Sequence, residues 1–341
     1  AAGRRRAAAP AAEGSPHGAP TFRRGVSPAN SRRRRDGSDG MSHRRAVVLM
    51  VLATLLWSIA GVVTRHLEAA RSFEVTFWRS LFNALALLVL LVPLRGAALW
   101  RDILAGNRVI WFSGLCWAVM YTAFMVALTL ASVANVLVAM ATGPLLTALA
   151  ARLFLGHRLP ARTWIAIGVA GLGIAWMFGA EAASNTTSGT SLLGSLVALG
   201  VPLAAAANFT LLQQRAGVAQ AGGERQDMLP AVLLGATLSA AATLPLAWPL
   251  QASTHDIGLL ALLGTVQLAI PCLLVVRLSR ELPAPEIALL ALLEVIFGVL
   301  LAWLGAGEVP ADSTLAGGAL VLAALAANEA FKSPRALSSS R

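Results

Sequence analysis

Long apolar segments constrain the fold of this chain more than any other feature of its sequence. About ten of them reach the ~20 residues that a helix needs to cross a bilayer. Hydrophobic residues make up 57% of the chain and charged residues only 13%, whereas a soluble domain carries about 25% charged residues. The sequence therefore predicts an all-α polytopic membrane protein, with spans at 46–64, 75–94, 109–130, 133–154, 163–180, 194–213, 228–248, 257–276, 284–304 and 314–331.

The basic residues between these spans predict the orientation of the chain. Only Arg65 and Arg71 lie in connections on one side, while the other side carries many more. Because cytoplasmic loops hold the excess of basic residues, both termini are expected in the cytoplasm and the protein in the inner (plasma) membrane of a bacterium. The basic residues on the predicted cytoplasmic side are Arg95, Arg101, Arg108, Arg152, Arg158, Arg162, Arg215, Arg225, Arg277, Arg280, Lys332, Arg335 and Arg341.

An internal repeat divides the membrane region into two halves. When the stretch Val133–Pro160 is slid along Pro283–Pro310, Gly156-His157 aligns with Gly307-Glu308 at an offset of 151. Trp57–Arg65 aligns with Ala207–Arg215 at an offset of 150. Five spans per repeat is an odd number, so the second repeat must enter the membrane from the opposite side. The sequence thus predicts two inverted five-helix repeats at 44–180 and 194–331, joined by a polar connection at 181–193 and followed by a cytoplasmic tail at 332–341.

The first part of the chain has a different composition. Residues 1–40 are mostly Arg, Ala, Gly, Pro and Ser, a mixture that cannot bury enough apolar surface to order itself. We expect this segment to be a disordered, dispensable tail upstream of a natural start at Met41. The alternative is an Arg-rich, acid-poor transit peptide.

Both halves also resemble a known family. The segments LLWSIAGVVTRHL, FWRSLFNALALLVLLVPL and VANVLVAMATGPLLTALAARLFLGHRLP resemble the first EamA-type repeat of the drug/metabolite transporter superfamily. The segment PAPEIALLALLEVIFGVLLAWLGAGEVP is similar to the second repeat. Together the resemblance covers roughly 44–330, and it implies a secondary transporter with a small-molecule substrate.

The sequence departs from the family pattern at three places. The first-repeat turn reads Gly156-His157 where Gly-Glu is usual, and Ala207-Asn208 stands where an aromatic residue is common. The ninth span reads Glu294-Val295 where Glu-Pro is frequent. Because no proline follows Glu294, we expect the ninth helix to lack a kink.

Two charged residues inside spans are the leading candidate site residues. Glu294 is the carboxylate most central to any span, and an ionisable group at that depth usually faces a cavity or a partner. It could carry protons, hold a cationic substrate as a fixed anion, or remain neutral and hydrogen-bonded to a neighbouring helix. Arg79 could snorkel to the outer interface, or it could pair with Glu294 or with a substrate carboxylate.

Polar, aromatic and proline positions complete the candidate set. Pro144 should kink the fourth helix, because proline lacks the N–H of the helical hydrogen bond. Asn208 and Gln267 could line the cavity or hold two helices together. Tyr121 and Trp57 could stack on an amphiphilic substrate, although aromatic residues near span ends are more often interface anchors.

These features favour a secondary transporter, with export as the expected direction, over two other functions. The substrate would be a small metabolite, an amino acid or an amphiphilic drug-like compound, moved by alternating access, with proton coupling as one option. The alternatives are a membrane-embedded enzyme and a non-transporting scaffold. The sequence contains no GxxxxGK[ST] or HExxH motif and no Asp inside a predicted span, so we predict no catalytic residue, cofactor, metal site or nucleic-acid partner; it leaves the oligomeric state open.

Overall fold

The computed structural model describes residues 41–64, 66–70, 72–105, 107–131, 133–156, 158–184, 189–224, 226–306 and 312–330. In this part of the chain every regular element is helical. The elements, in order, are α1 (His43–Thr64), α2 (Ser72–Arg95), α3 (Ala97–Leu104), α4 (Arg108–Leu130), α5 (Val133–Met140), α6 (Gly143–Leu155), α7 (Ala161–Ser184), α8 (Gly189–Gln220), α9 (Leu229–Ala247), α10 (Thr254–Leu262), a π-helical segment (Leu263–Ala269), α11 (Ile270–Leu278), α12 (Ala284–Ala291), α13 (Leu293–Ala306) and α14 (Asp312–Ala330).

The membrane spans confirm the predicted fold class. Within the described ranges, 9 helical stretches are long and apolar enough to cross a bilayer, and Asp312–Asn328 is a shorter apolar helix. This last stretch belongs to α14, which packs along α7 and supplies the tenth helix. The predicted tail at 1–40, the C-terminal tail at 332–341 and residues 185–188 of the polar connection lie outside the described residues.

The fourth and ninth spans are both interrupted near their centres. The fourth consists of α5 and α6, with Pro144 in the first turn of α6, which confirms the predicted disturbance of that helix. The ninth consists of α12 and α13, separated at Leu292. The expectation that the ninth helix would lack a kink is therefore wrong. There the α-helix passes through a tighter 3₁₀-type turn without a proline. The N–H of Leu292 bonds to the carbonyl of Leu289 and that of Val295 to the carbonyl of Leu292, both at 3.1 Å.

The eighth span widens where α10 passes into α11. Its central turn is the π-helical segment, and Pro271 follows at the start of α11. Proline has no N–H to give to the carbonyl four residues earlier, so the carbonyl of Gln267 loses its ordinary α-helical donor. We attribute the wider turn to this missing bond, since π-turns are rare and need a local cause.

Helix packing follows the internal repeat. The α4–α8 contact is mirrored by the contact of α1 with α11, and the α6–α8 contact by that of α1 with α13. The contact of α4 with α9 is likewise mirrored by that of α2 with the π-helical segment. The contacts α2–α9 and α7–α14 pair equivalent helices, and α6–α12 joins the equivalent fourth and ninth spans. This pattern is the one expected of two inverted five-helix repeats related by a pseudo-twofold axis.

Small residues allow some of these helices to touch through their backbones. A Cβ built on Gly173 of α7 would lie 2.7 Å from the carbonyl oxygen of Gly317 of α14. A Cβ on Gly264 of the π-helical segment would lie 2.6 Å from the carbonyl oxygen of Arg79. Such close approach is common between transmembrane helices, and at Gly264 it fixes the position of α2 beside the eighth span.

Candidate functional site

Arg79 faces the interior of the protein. It lies two turns into α2 and is only 3% exposed. Gly264 packs against its backbone. The Arg79 side chain therefore does not snorkel to the outer interface, which was one of the two alternatives that the sequence left open. Among the described residues, its Nε has no hydrogen-bond partner.

Glu294 lies in the first turn of α13, directly after the break in the ninth span. It is deep in the protein but half-buried rather than sealed, while the next two residues, Val295 and Ile296, are buried. The charges of Glu294 and Arg79 interact through space, although within the described part of the chain they do not form a direct ion pair. The structure thus brings the two charged candidates into one region, as one of the alternatives predicted.

Tyr121 links the two repeats near the pseudo-twofold axis. Its hydroxyl donates a hydrogen bond to Sγ of Cys272 over 3.2 Å, and the two residues are 151 positions apart, which is the offset of the repeat. Trp117 stacks on the ring of Tyr121 at a centroid distance of 5.8 Å. Tyr121 also interacts electrostatically with Arg79, so this aromatic pair borders the charged region.

Gln267 and Trp57 contact each other beside Cys272. Nε2 of Gln267 donates to the backbone carbonyl of Trp57 over 3.2 Å, which joins the π-helical segment to α1. Oε1 of Gln267 has no partner in the described ranges. The indole of Trp57 adjoins Cys272 and is buried, so Trp57 is not an interface anchor.

Asn208 and Pro144 are engaged elsewhere. Oδ1 of Asn208 accepts a hydrogen bond of 2.6 Å from Ser113, which links α8 to α4. Pro144 is buried at the start of α6, where it marks the break in the fourth span. Both positions have a structural use in this arrangement, and no contact described here joins either of them to Arg79 or Glu294.

Asn83 is a polar residue of this region that the sequence analysis did not name. It follows Arg79 by one helical turn, is 0% exposed and lies beside the Tyr121 hydroxyl. Its amide interacts with that hydroxyl as a weak hydrogen-bond partner, because neither amide atom forms a bond of standard geometry with a described residue. Its spacing was the signal in the sequence, because residues four apart lie on the same face of a helix.

The polar residues of this region are called the central cluster below. They are Arg79, Asn83, Tyr121, Gln267, Cys272 and Glu294.

Hydroxyl groups behind the central cluster hold three helices together. The hydroxyl of Ser239 on α9 lies 2.9 Å from that of Ser80 on α2 and 2.9 Å from that of Thr122 on α4. Ser80 and Thr122 are the sequence neighbours of Arg79 and Tyr121. The three hydroxyls satisfy one another, so they position the central cluster without requiring a ligand.

The other membrane carboxylates serve structural roles near the ends of spans. Asp256 accepts hydrogen bonds of 2.8–3.0 Å from the backbone N–H groups of Glu68, Ala69 and Ala70 in the α1–α2 connection. Glu74 accepts bonds from two backbone N–H groups of the α9–α10 connection, at 2.7 and 2.8 Å. These reciprocal contacts, called the loop latch below, give both acids structural partners, while Oε2 of Glu74 has none among the described residues. Glu294 differs from them because it accepts no such bonds in the described structure.

Chemically, the central cluster is suited to binding a polar small molecule. It combines a cation, a carboxylate, a phenol and two amides within apolar walls. Among the described residues, no group of three or more His, Cys, Asp or Glu side chains could hold a metal ion. An inverted-repeat helical bundle with broken spans and polar groups at the repeat interface is the architecture of secondary transporters.

Comparison with known proteins agrees with this class. Residues 44–179 match the model of the EamA-like transporter family, and the EamA resemblance seen in the sequence is thereby confirmed. The chain is 26% identical over 285 residues to the pseudopaline exporter CntI of Pseudomonas aeruginosa strain UCBPP-PA14, an alignment covering 82% of this chain and 94% of the relative. The corresponding exporter of strain PAO1 matches to the same extent. A crystal structure with 18% identity and a TM-score of 0.70, covering 87% of this chain and 100% of that chain, shares the fold.

These findings place the chain among multi-pass membrane proteins of transport, and they point to a transporter rather than an enzyme. Both of these Pseudomonas relatives are named as exporters of pseudopaline.

Proposed function

We propose that this protein is a secondary exporter that moves small metabolites, amino acids or amphiphilic compounds by alternating access, coupled to protons through Glu294. The observation that carries the proposal is the position of Glu294. A half-buried carboxylate follows the break in the ninth span and interacts with a buried arginine of the other repeat. A carboxyl group that faces a cavity opening alternately to the two sides can exchange protons with both.

Two further observations support the proposal. The fourth and ninth spans are broken at equivalent positions, and discontinuous helices near the midplane are typical of substrate sites in inverted-repeat transporters. The outward direction is supported by the exporters that the chain resembles. We also propose an inner-membrane location with both termini in the cytoplasm, which the distribution of arginine between the connections supports.

The test is the Glu294→Gln variant in proteoliposomes. Glutamine keeps the shape and hydrogen bonding of the side chain but cannot titrate. If Glu294 carries protons, transport driven by a pH gradient should be lost, whereas substrate binding and gradient-independent exchange should survive. Glu281→Gln is the matched control, because Glu281 is an exposed acid in a connection and its loss should change neither activity.

The result also separates two roles of the same residue. If Glu294 instead holds a cationic substrate, binding itself should weaken in Glu294→Gln. Unchanged binding together with unchanged gradient-driven transport would show that Glu294 is structural, and the proposed coupling would then be wrong.

A further inference from the structure

The short helix α3 has apolar side chains on its exposed side as well as on its buried side. Leu99 is 1% exposed and packs inward, whereas Trp100 and Leu104 are 46% and 79% exposed. Residues four apart share one face of a helix, so Trp100 and Leu104 form a single apolar edge. An exposed apolar edge on a short amphipathic helix is typical of a helix that lies in the membrane interface.

The start of α4 extends this edge. Nε1 of Trp111 donates a hydrogen bond of 3.1 Å to the carbonyl of Ile103 in the last turn of α3, and Trp111 is itself 42% exposed. This bond joins the end of α3 to the start of α4 and places a second exposed tryptophan beside the first. The α3 patch, as it is called below, consists of Trp100, Arg101, Leu104, Arg108 and Trp111.

The two arginines of the α3 patch are available to a ligand. Arg101 and Arg108 are both exposed, and neither guanidinium forms an ion pair or a hydrogen bond with any residue that the structure describes. Arg101 lies two residues before Ile103 and Arg108 three residues before Trp111, so both are within about one turn of the bond that joins the helices. The acid of α3, Asp102, is half-buried and lies on the side of the helix away from the apolar edge.

The equivalent segment of the second repeat lacks these cations. Shifted by the repeat offset, α3 and the start of α4 correspond to residues 248–259, where Trp248 is 74% exposed. The sequence from 248 to 259 contains no Arg or Lys. In inverted repeats the two segments lie at opposite faces of the membrane. An exposed tryptophan is thus common to both faces, whereas the pair of arginines belongs to the face that the positive-inside rule predicts to be cytoplasmic.

The chemistry of the α3 patch restricts what it can bind. Tryptophan side chains concentrate at the level of the lipid headgroups, so the neighbouring arginines are expected at the depth of the lipid phosphates. A guanidinium group binds phosphate oxygens through two parallel hydrogen bonds. A zwitterionic headgroup carries a cation that competes with arginine for its own phosphate, whereas an anionic headgroup does not. Anionic lipids also give the cytoplasmic leaflet its negative surface potential.

From these observations we propose that the α3 patch binds the headgroup of an anionic phospholipid in the cytoplasmic leaflet. Arg101 and Arg108 bind the phosphate, while Trp100, Leu104 and Trp111 rest against the glycerol backbone and the upper acyl chains. The proposal uses the predicted orientation of the chain but not its transport activity. Its failure would leave the proposed export function untouched, and the reverse is also true.

The position of α3 connects a bound lipid to the interface between the repeats. This helix contacts α2 and α9, which are equivalent helices of the two halves. Arg95 at the end of α2 pairs with Asp227, just before α9, over 2.9 Å. A lipid that holds α3 therefore stabilises the contact between the repeats, and its binding to the folded state raises the melting temperature.

The first experiment adds lipids to the purified full chain in detergent. Dioleoyl-phosphatidylglycerol is compared with dioleoyl-phosphatidylcholine and with glycerol 3-phosphate, which supplies the headgroup chemistry without the acyl chains. We measure the melting temperature, and we count the retained lipids by native mass spectrometry. Phosphatidylglycerol should raise the melting temperature and stay bound, whereas the other two should do neither at the same concentration. Equal effects of phosphatidylcholine, or of glycerol 3-phosphate alone, would overturn the proposal.

The Arg101→Gln/Arg108→Gln variant tests the assignment to these two residues. One arginine near an anionic surface changes the affinity roughly fivefold, so the affinity for phosphatidylglycerol should fall by about 25-fold. Arg44→Gln/Arg45→Gln is the matched control, because these exposed arginines at the start of α1 lie on the same predicted side and remove the same charge. The control should keep its affinity. Equal affinities in the two variants would show attraction by net charge alone, and the α3 patch would not be a site.

A second experiment needs no change to the arginines. A fluorophore is attached to Leu104→Cys, since Cys116 and Cys272 are both buried, and the protein is placed in nanodiscs that contain nitroxide-labelled lipid. Nitroxide near the top of the acyl chain should quench this fluorophore, and more strongly on phosphatidylglycerol than on phosphatidylcholine at equal content. Ala221→Cys, at an exposed position of the α8–α9 connection, is the control and should not be quenched. An unquenched fluorophore at position 104, or equal quenching by the two lipids, would overturn the proposal.

Discussion

The loop latch offers the most direct quantitative test of the structure. Asp256, at the start of α10, is fully buried and accepts three long-range hydrogen bonds from the α1–α2 connection. In the Asp256→Ala variant all three N–H groups lose their acceptor. We expect a marked loss of stability without any change to the central cluster.

The size of the effect follows from these contacts. A hydrogen bond to a charged group contributes about 1.5–3 kcal/mol. Because Glu68 and Ala69 are exposed, their freed N–H groups can bond to water, which places each bond at the lower end of that range. The expected loss is therefore about 3–5 kcal/mol, and at roughly 2 °C per kcal/mol for a chain of this size the melting temperature should fall by about 6–10 °C.

Ser253→Ala is the control that isolates the bonds between the two segments. Ser253 caps α10 by accepting a bond of 3.1 Å from the N–H of Asp256, and the loss of such a cap contributes only about 1 kcal/mol. Thermal unfolding of the purified wild-type protein and both variants gives the comparison. If Asp256→Ala lowered the melting temperature no more than Ser253→Ala does, the bonds to the α1–α2 connection would contribute nothing, and the reasoning would be wrong.

Two other predictions concern the packing and the orientation of the chain. In Gly264→Ala the new Cβ would lie 2.6 Å from both the Arg79 carbonyl oxygen and Phe82 Cβ; the resulting displacement of α2 should lower the stability by about 1–3 kcal/mol and reduce transport. Gly258→Ala on the same span has nothing within 4 Å of its new Cβ and should do neither; equal effects in the two variants would contradict the packing argument. A periplasm-active reporter fused after Arg341 should give no signal, and a strong signal would refute the cytoplasmic C-terminus.

The fold was accessible from the sequence because the bilayer imposes a length and a composition on each span. Apolar runs separated by basic connections identified about ten helices, and the 150-residue offset identified the repeat. The amphipathic helix α3 was not predicted. At 8 residues it is too short to register as a span, and its one buried leucine, Leu99, becomes apparent only after α2 and α4 are in place.

The site was accessible only in part, for two physical reasons. The depth of Arg79 and Glu294 was evident from their positions in spans, but the direction of a side chain depends on which helix faces it. Arg79 points inward because Gly264 brings the eighth span against α2. The break before Glu294 was missed because it consists of two hydrogen bonds between residues three apart, at Leu292 and Val295, and no proline marks its position in the sequence.

The hydrogen bond between Tyr121 and Cys272 has a consequence for the transport cycle. In alternating access, the two repeats can exchange conformations, which closes the cavity on one side of the membrane and opens it on the other. A contact between equivalent positions of the two repeats is the same before and after this exchange. The Tyr121–Cys272 contact is then common to both states and acts as a pivot, so a distance measured between labels at these positions should stay constant through the cycle. The bond between Asp256 and Glu68 has no such symmetry. It should therefore open in the opposite state.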